Sequence, residues 1–288
     1  MKKILSFILA STMVLGLTAC SSKTSGTASD TSKPAETAKT QLGTKEGDVT
    51  VLKIGVNGTD FRLWDILNKK LAEKKIKLQP VSFSDYVKPN IALADKEIDL
   101  NAFQHRLYFD TFIKDHNLKL SSIGDTFIAP LGLYSKKVKK LDELKDGAQV
   151  AIPNDATNGG RALLLLESAG LIKLDGKDKV TPTTKNIVEN SKNLKFVSME
   201  SVQIPRSLGD VDLGAINGGA ATDAGLFDYI FREDPNQKNA EQYFNIIAVR
   251  TEDKDNEIFK EIMKVYYTDE TKAAINEIYK GAYIPVFK

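Results

Sequence analysis

From Thr50 onward, short apolar runs alternate with amphipathic stretches, and that alternation constrains the fold more than any other feature of the chain. Residues 51–56 read as a strand. Over residues 62–74, Leu63, Ile66, Leu67 and Leu71 share one helical face. Residues 78–83 and 98–102 read as strands, with a helix over 87–96 between them and a short helix over 109–116 after them. Residues 127–134 read as one long apolar strand, and 141–144 as a brief helix. Residues 149–152 form a buried strand cut by Pro153, and 160–169 a Leu-rich helix stopped by Gly170. Further strands are expected over 194–197, 213–216, 228–231 and 244–249, with closing helices over 256–267 and 270–279. Strands that alternate with helices predict an α/β fold with mostly parallel sheets. Two such blocks predict two lobes, the second inserted into the first: residues 50–135 with 240–288, and residues 136–239.

The N-terminus is a different kind of sequence. Lys2 and Lys3 precede an apolar run over residues 4–17, which fits a secretory signal and is too short to span a membrane comfortably. Leu17, Thr18 and Ala19 then lead to Cys20, the only cysteine in the chain. That arrangement looks like a bacterial lipobox, with residues 1–19 removed and Cys20 lipid-modified. Two or three acyl chains there would hold the protein on a membrane, since one alone binds marginally. The following stretch to residue 49 is Ser, Thr, Lys, Ala and Gly with almost no large apolar residue, and reads as a flexible tether. A coil of that length has a root-mean-square span of roughly 30 Å. The expected location is the outer face of the cell membrane.

Charge and residue counts exclude several functions. Lys plus Arg is 40 and Asp plus Glu is 38; without Lys2 and Lys3 the balance is zero, so nucleic acid is not an expected partner. A single cysteine and two histidines leave no Cys-based zinc site and make a multi-His metal site improbable. Nucleophile-elbow, zinc-protease and dinucleotide-binding patterns are absent. The run from Gly170 to Lys177 is one residue too long for a phosphate loop and is followed by Asp178. No catalytic residue, metal or cofactor is expected, and an enzyme is the least supported reading.

What remains is four polar segments at strand ends, where ligands sit in open α/β sheets. The loop after residues 98–102 carries Phe103, His105 and Tyr108, a lining for a ligand with an apolar body and a polar end. The same residues also read as core packing around a structural histidine. Between Pro153 and Arg161 lie Asp155, Thr157 and Asn158, which can cap a helix whose free N–H groups suit a carboxylate. Arg161 near that helix start is costly unless it meets an anion, either a ligand or a neighbouring acid. Asn217 ends a buried strand ahead of Gly218 and Gly219. Asn245 lies inside an apolar strand, where a buried amide needs partners from the backbone or from a ligand.

Together with Phe83-Ser84-Asp85-Tyr86-Val87-Lys88-Pro89-Asn90, Pro130-Leu131-Gly132-Leu133-Tyr134-Ser135 and Asn245-Ile246-Ile247-Ala248-Val249-Arg250, these segments resemble the methionine-binding lipoprotein family of bacterial ABC importers. The resemblance spans nearly all of residues 50–288. It implies a type 2 periplasmic-binding-protein fold, a monomer that closes two lobes on a small amino acid. It also implies delivery of methionine to a membrane permease driven by an ATPase. It carries over Tyr86, Phe103, His105, Tyr108, Arg161, Asn217 and Asn245 as ligand contacts, Tyr86 on this ground alone. Arg161 would grip the carboxylate with two hydrogen bonds. The two asparagines would serve ammonium and carboxylate, the three rings would enclose the thioether, and His105 would orient the slot or bond the ligand's polar end. Leu107 stands where relatives commonly have Pro, residues 125–129 lack the usual acidic, His-containing form, and Ala220 replaces a Tyr, which enlarges the pocket. L-methionine, D-methionine, a methionine-containing dipeptide and another apolar amino acid remain open as ligands. So does an envelope adhesion role.

Overall fold

A computed structural model describes residues 42–287. The expected leader, the lipid-bearing Cys20 and the first part of the tether lie outside the described residues. The end of the expected tether does not: β1 (Thr44–Glu46) and β2 (Val49–Asn57) pair as an antiparallel hairpin, and Leu42 is packed into the core. Gly47 makes the turn possible with a φ of +63°, a conformation glycine adopts without steric cost.

The elements then run α1 (Arg62–Leu71), β3 (Ile76–Phe83), α2 (Lys88–Ala94), β4 (Leu100–Asn101), α3 (Arg106–Asp115) and β5 (Leu120–Ile128). A second block holds β6 (Gly132–Tyr134), β7 (Gln149–Pro153), α4 (Ala156–Ser168), the small hairpin of β8 (Lys173–Leu174) and β9 (Ile187–Glu189), β10 (Lys195–Met199), α5 (Ile204–Ser207), β11 (Leu213–Ile216), α6 (Gly218–Asp223) and β12 (Phe231–Arg232). The chain closes with β13 (Phe244–Arg250), α7 (Glu257–Tyr266), α8 (Asp269–Tyr279) and β14 (Ile284–Pro285).

Two larger sheets organise these elements into a two-lobed α/β fold. The first has β1-β2-β4-β13-β5-β14 in order, with β3 on the other side of β2; the second is β10-β7-β11-β6-β12. Among the described residues, parallel pairing is confined to β3-β2-β4 and β10-β7-β11. The expected predominance of parallel strands does not hold, because the chain crosses between sheets twice. β5 leaves the first sheet toward the second and β13 returns, so the two run antiparallel; β6 and β12 do the same in the second sheet.

The first crossing also corrects a strand. Residues 127–134 are not one element: β5 ends at Ile128, and β6 begins at Gly132 in the other sheet, paired with β11. Pro130 has no N–H to continue a ladder, and it falls between the two. Residues 132–134, expected with the first lobe, are therefore strands of the second sheet. Helices cover both faces of the first sheet, so β13 is buried on both sides. Ile247 and Val249 face the cluster with Leu63, Phe259 and Ile275, while Ile246 and Ala248 face Leu93 and Phe109. Burying each large side chain of this kind contributes about 1.5–3 kcal/mol. In the second sheet Val150, Ile152 and Leu213 pack on Leu163 and Leu166 of α4, and Ala151 and Ile216 on Ile204 and Leu208.

Candidate functional site

Loops at the C-terminal ends of β2, β3, β4, β7 and β11 meet the two crossings around one cavity. Tyr86, Phe103, His105, Tyr108, Arg161, Asn217 and Asn245 all line it. Tyr86, Phe103 and Tyr108 form a triangle, with ring centroids 6.0, 6.1 and 6.2 Å apart and tilted or edge-on planes. Such spacings are attractive for aromatic quadrupoles and hold the three faces in fixed directions. The Tyr108 hydroxyl donates to the Tyr86 carbonyl at 2.8 Å, and burial pushes both phenols up, so both stay neutral.

A buried amide cluster holds the loop after β4. Asn90 Nδ2 donates to Gln104 Oε1 at 2.8 Å, while Gln104 Nε2 donates to Asn90 Oδ1 and Asn101 Oδ1 at 2.7 and 3.0 Å. These three amides are almost fully enclosed, so the network ties α2 to the loop that carries Phe103 and His105.

His105 starts α3. Its Nδ1 accepts the Tyr108 N–H at 3.1 Å, which leaves the proton on Nε2 to donate to Asn158 Oδ1 at 3.1 Å. Burial first, and the Arg161 charge second, push its pKa down to about 3. The ring stays neutral, and it ties the start of α3 to α4, which packs on the second sheet. His105 also forms an antiparallel backbone bridge with Asn245. Asn245 sits at a register shift in β13, and among the described residues its side chain has no hydrogen-bond partner. Asn217 is 8% exposed; its Nδ2 donates to Asn158 Oδ1 at 2.5 Å, and its Oδ1 is buried without a partner among the described residues.

Arg161 departs from expectation. α4 begins at Ala156, with Asp155 as its N-cap, so Arg161 lies in the second turn. Glycine at position 160 lets the helix approach Thr181, whose Cα would be 2.6 Å from an added Cβ. The guanidinium meets its anion within the protein: Nε and Nη2 donate to Glu233 at 2.7 and 2.6 Å, with the pair 2% and 5% exposed. The Tyr243 ring lies 4.2 Å beneath it. The expected two-pronged grip on a ligand carboxylate is thus corrected. Glu233 holds that edge, and Nη1 is the nitrogen left without a partner among the described residues.

The sequence profile described as NlpA lipoprotein matches residues 52–287. The chain belongs to the NlpA lipoprotein family. Among NlpA-like relatives, the D-methionine-binding lipoprotein MetQ of Salmonella typhi is 46% identical over 246 residues, 83% of this chain and 89% of the relative. A nutrient-binding protein of Burkholderia cenocepacia, solved bound to methionine, is 38% identical with a TM-score of 0.76, over 82% of this chain and all (100%) of that one. The substrate-binding protein of a methionine transporter from Streptococcus pneumoniae is 36% identical with a TM-score of 0.78, over 82% and 96%.

Several lining or supporting residues of this NlpA-family chain were not legible in its sequence. Glu233 lies 72 positions from Arg161 in a charged run that reads as solvated surface. Asn158 carried a signal in its spacing from Asp155, which reads as a helix cap. Asp60 and Asp223 also line the cavity. Burial, then Asp60, pushes the Asp223 carboxyl up to about 6, while the hydrogen bond from Arg62 lowers Asp60. Asp60 follows the end of β2, and the strand-end rule alone could have found it.

Proposed function

We propose that this chain is a lipid-anchored substrate-binding protein of an ABC importer, which closes two lobes on L-methionine or a close analogue and hands it to a permease. What supports the reading is the convergence of one aromatic triangle, one guanidinium and an unpartnered asparagine oxygen on a single cavity between the two sheets. A thioether fits among the rings, where each sulfur–aromatic contact is worth about 0.3–1.5 kcal/mol. The ammonium meets Asn217 Oδ1, and the carboxylate meets Arg161 Nη1 and the Asn245 amide. The lobes divide at the crossings between β5 and β6 and between β12 and β13, and Cys20 bears the lipid. The protein works outside the cell membrane as a monomer and performs no catalysis.

Calorimetry with all twenty amino acids, both methionine enantiomers and methionyl dipeptides tests the ligand, with mass spectrometry of molecules released on denaturation as a second check. No heat with any methionine compound rejects the reading. Cys20→Ala should release the protein from the membrane, and uptake assays in a deletion strain separate transport from an adhesion role.

A further inference from the structure

Asn158 lines the cavity, yet its side-chain amide is fully committed to the protein. Nδ2 donates to the Asp155 carboxylate at 3.1 and 3.0 Å, and Oδ1 accepts from His105 Nε2 at 3.1 Å and from Asn217 Nδ2 at 2.5 Å. Asp155 is itself held by the Asn158 backbone N–H at 2.8 Å and the Thr157 hydroxyl at 2.7 Å. An amide presents a donor at one end and an acceptor at the other. Turned over, Asn158 would set its oxygen against the Asp155 carboxylate and its N–H groups against two other donors. Its orientation is therefore forced, and that orientation propagates. Asn217 must point Nδ2 at Asn158, so its Oδ1 is the atom left buried without a partner.

We propose that Asn158, oriented by Asp155 and by the His105 Nε2 donor, is a positioning residue that fixes Asn217 as an acceptor, so that the site selects ligands with a free α-ammonium group. The inference rests on the methionine reading and deepens it. Neither Asp155 nor Asn158 needs to touch the ligand: the helix cap dictates which end of Asn217 the ligand meets. The same oxygen joins His105 of one lobe to Asn217 of the other, so ammonium selection and lobe closure share one atom.

The test compares L-methionine with 4-(methylthio)butanoate, which keeps the thioether and carboxylate and lacks the ammonium, in wild type, Asn158→Leu and Asn158→Asp. Wild type should prefer methionine, and Asn158→Leu should narrow that preference by about tenfold or more, since a hydrogen bond to a charged group is lost. Asn158→Asp keeps the acceptor for Asn217 and His105 but sets a second carboxylate against Asp155, so it should weaken both ligands yet retain more of the preference than Asn158→Leu. A purely structural role would weaken both ligands equally and leave their ratio unchanged, which overturns the proposal. Nitrogen NMR of the histidines in ligand-free wild type needs no variant to fold: His105 should carry its proton on Nε2 and stay neutral at pH 5. A proton on Nδ1 overturns the proposal. If wild type binds no methionine while His105 shows the expected tautomer, the methionine reading fails. The ammonium selection then falls with it, and only the donor that orients Asn158 is upheld.

Discussion

Arg161 and Glu233 show how a partner decides what a residue can do. A buried guanidinium is tolerated only when paired and hydrogen-bonded, and Glu233 supplies both conditions. Glu233→Ala should therefore destabilise the protein by about 3–5 kcal/mol, read as a lower midpoint in urea. Asn245→Ala should weaken methionine binding at least about tenfold by calorimetry, because a charged ligand group loses its partner in a closed site. His105 gives a pH dependence. It is neutral in the folded protein down to about pH 3, whereas an unfolded histidine takes up its proton near pH 6.5. Between those values the unfolded state binds more protons, so stability is full above about pH 6.5 and falls as the pH drops through that window. Thermal melts of His105→Gln should show less of this acid loss than wild type.

At the scale of elements, the crossings demand close approach. Gly218 opens α6 against the first crossing, where an added Cβ would lie 2.9 Å from the Pro130 carbonyl oxygen and 3.0 Å from the Ala129 carbonyl carbon. Those are backbone atoms and cannot step aside as a flexible side chain would. Gly218→Val should cost about 1–3 kcal/mol by overpacking, measured by denaturant unfolding. The apolar patterns of β2, β7, β11, β13 and α1 were readable because each buries a periodic or continuous face. β5 was not: Leu120–Ile128 mixes serines, a glycine and an aspartate with its apolar residues, and its partners are β13 and β14, far along the chain. Six of the seven cavity-lining residues singled out above were legible at strand ends and Tyr86 only through the resemblance, whereas the amide cluster of Asn90, Asn101 and Gln104 has no local signature.

For the whole molecule, ligand binding and lobe stability are one equilibrium. A ligand bound only by the folded protein, at one hundred times its dissociation constant, adds about 2.7 kcal/mol of stability. For a folded part of this size that corresponds to a rise of roughly 5–10 °C in Tm. Methionine should produce it in differential scanning calorimetry, and 4-(methylthio)butanoate at the same concentration should produce less. Two connections join the sheets, and the His105–Asn158 hydrogen bond closes the gap between them at the site itself.

The sequence alone determined the α/β character and the strand-end loops whose residues line the cavity, because burial periodicity and turn chemistry act over a few residues. Only the tertiary structure decided that the strands pair in mixed directions, that Glu233 rather than a ligand takes the forked edge of Arg161, and which end of Asn217 faces the cavity. Those outcomes depend on groups tens of residues apart that meet in a medium of low dielectric, where each buried donor and acceptor must find its complement.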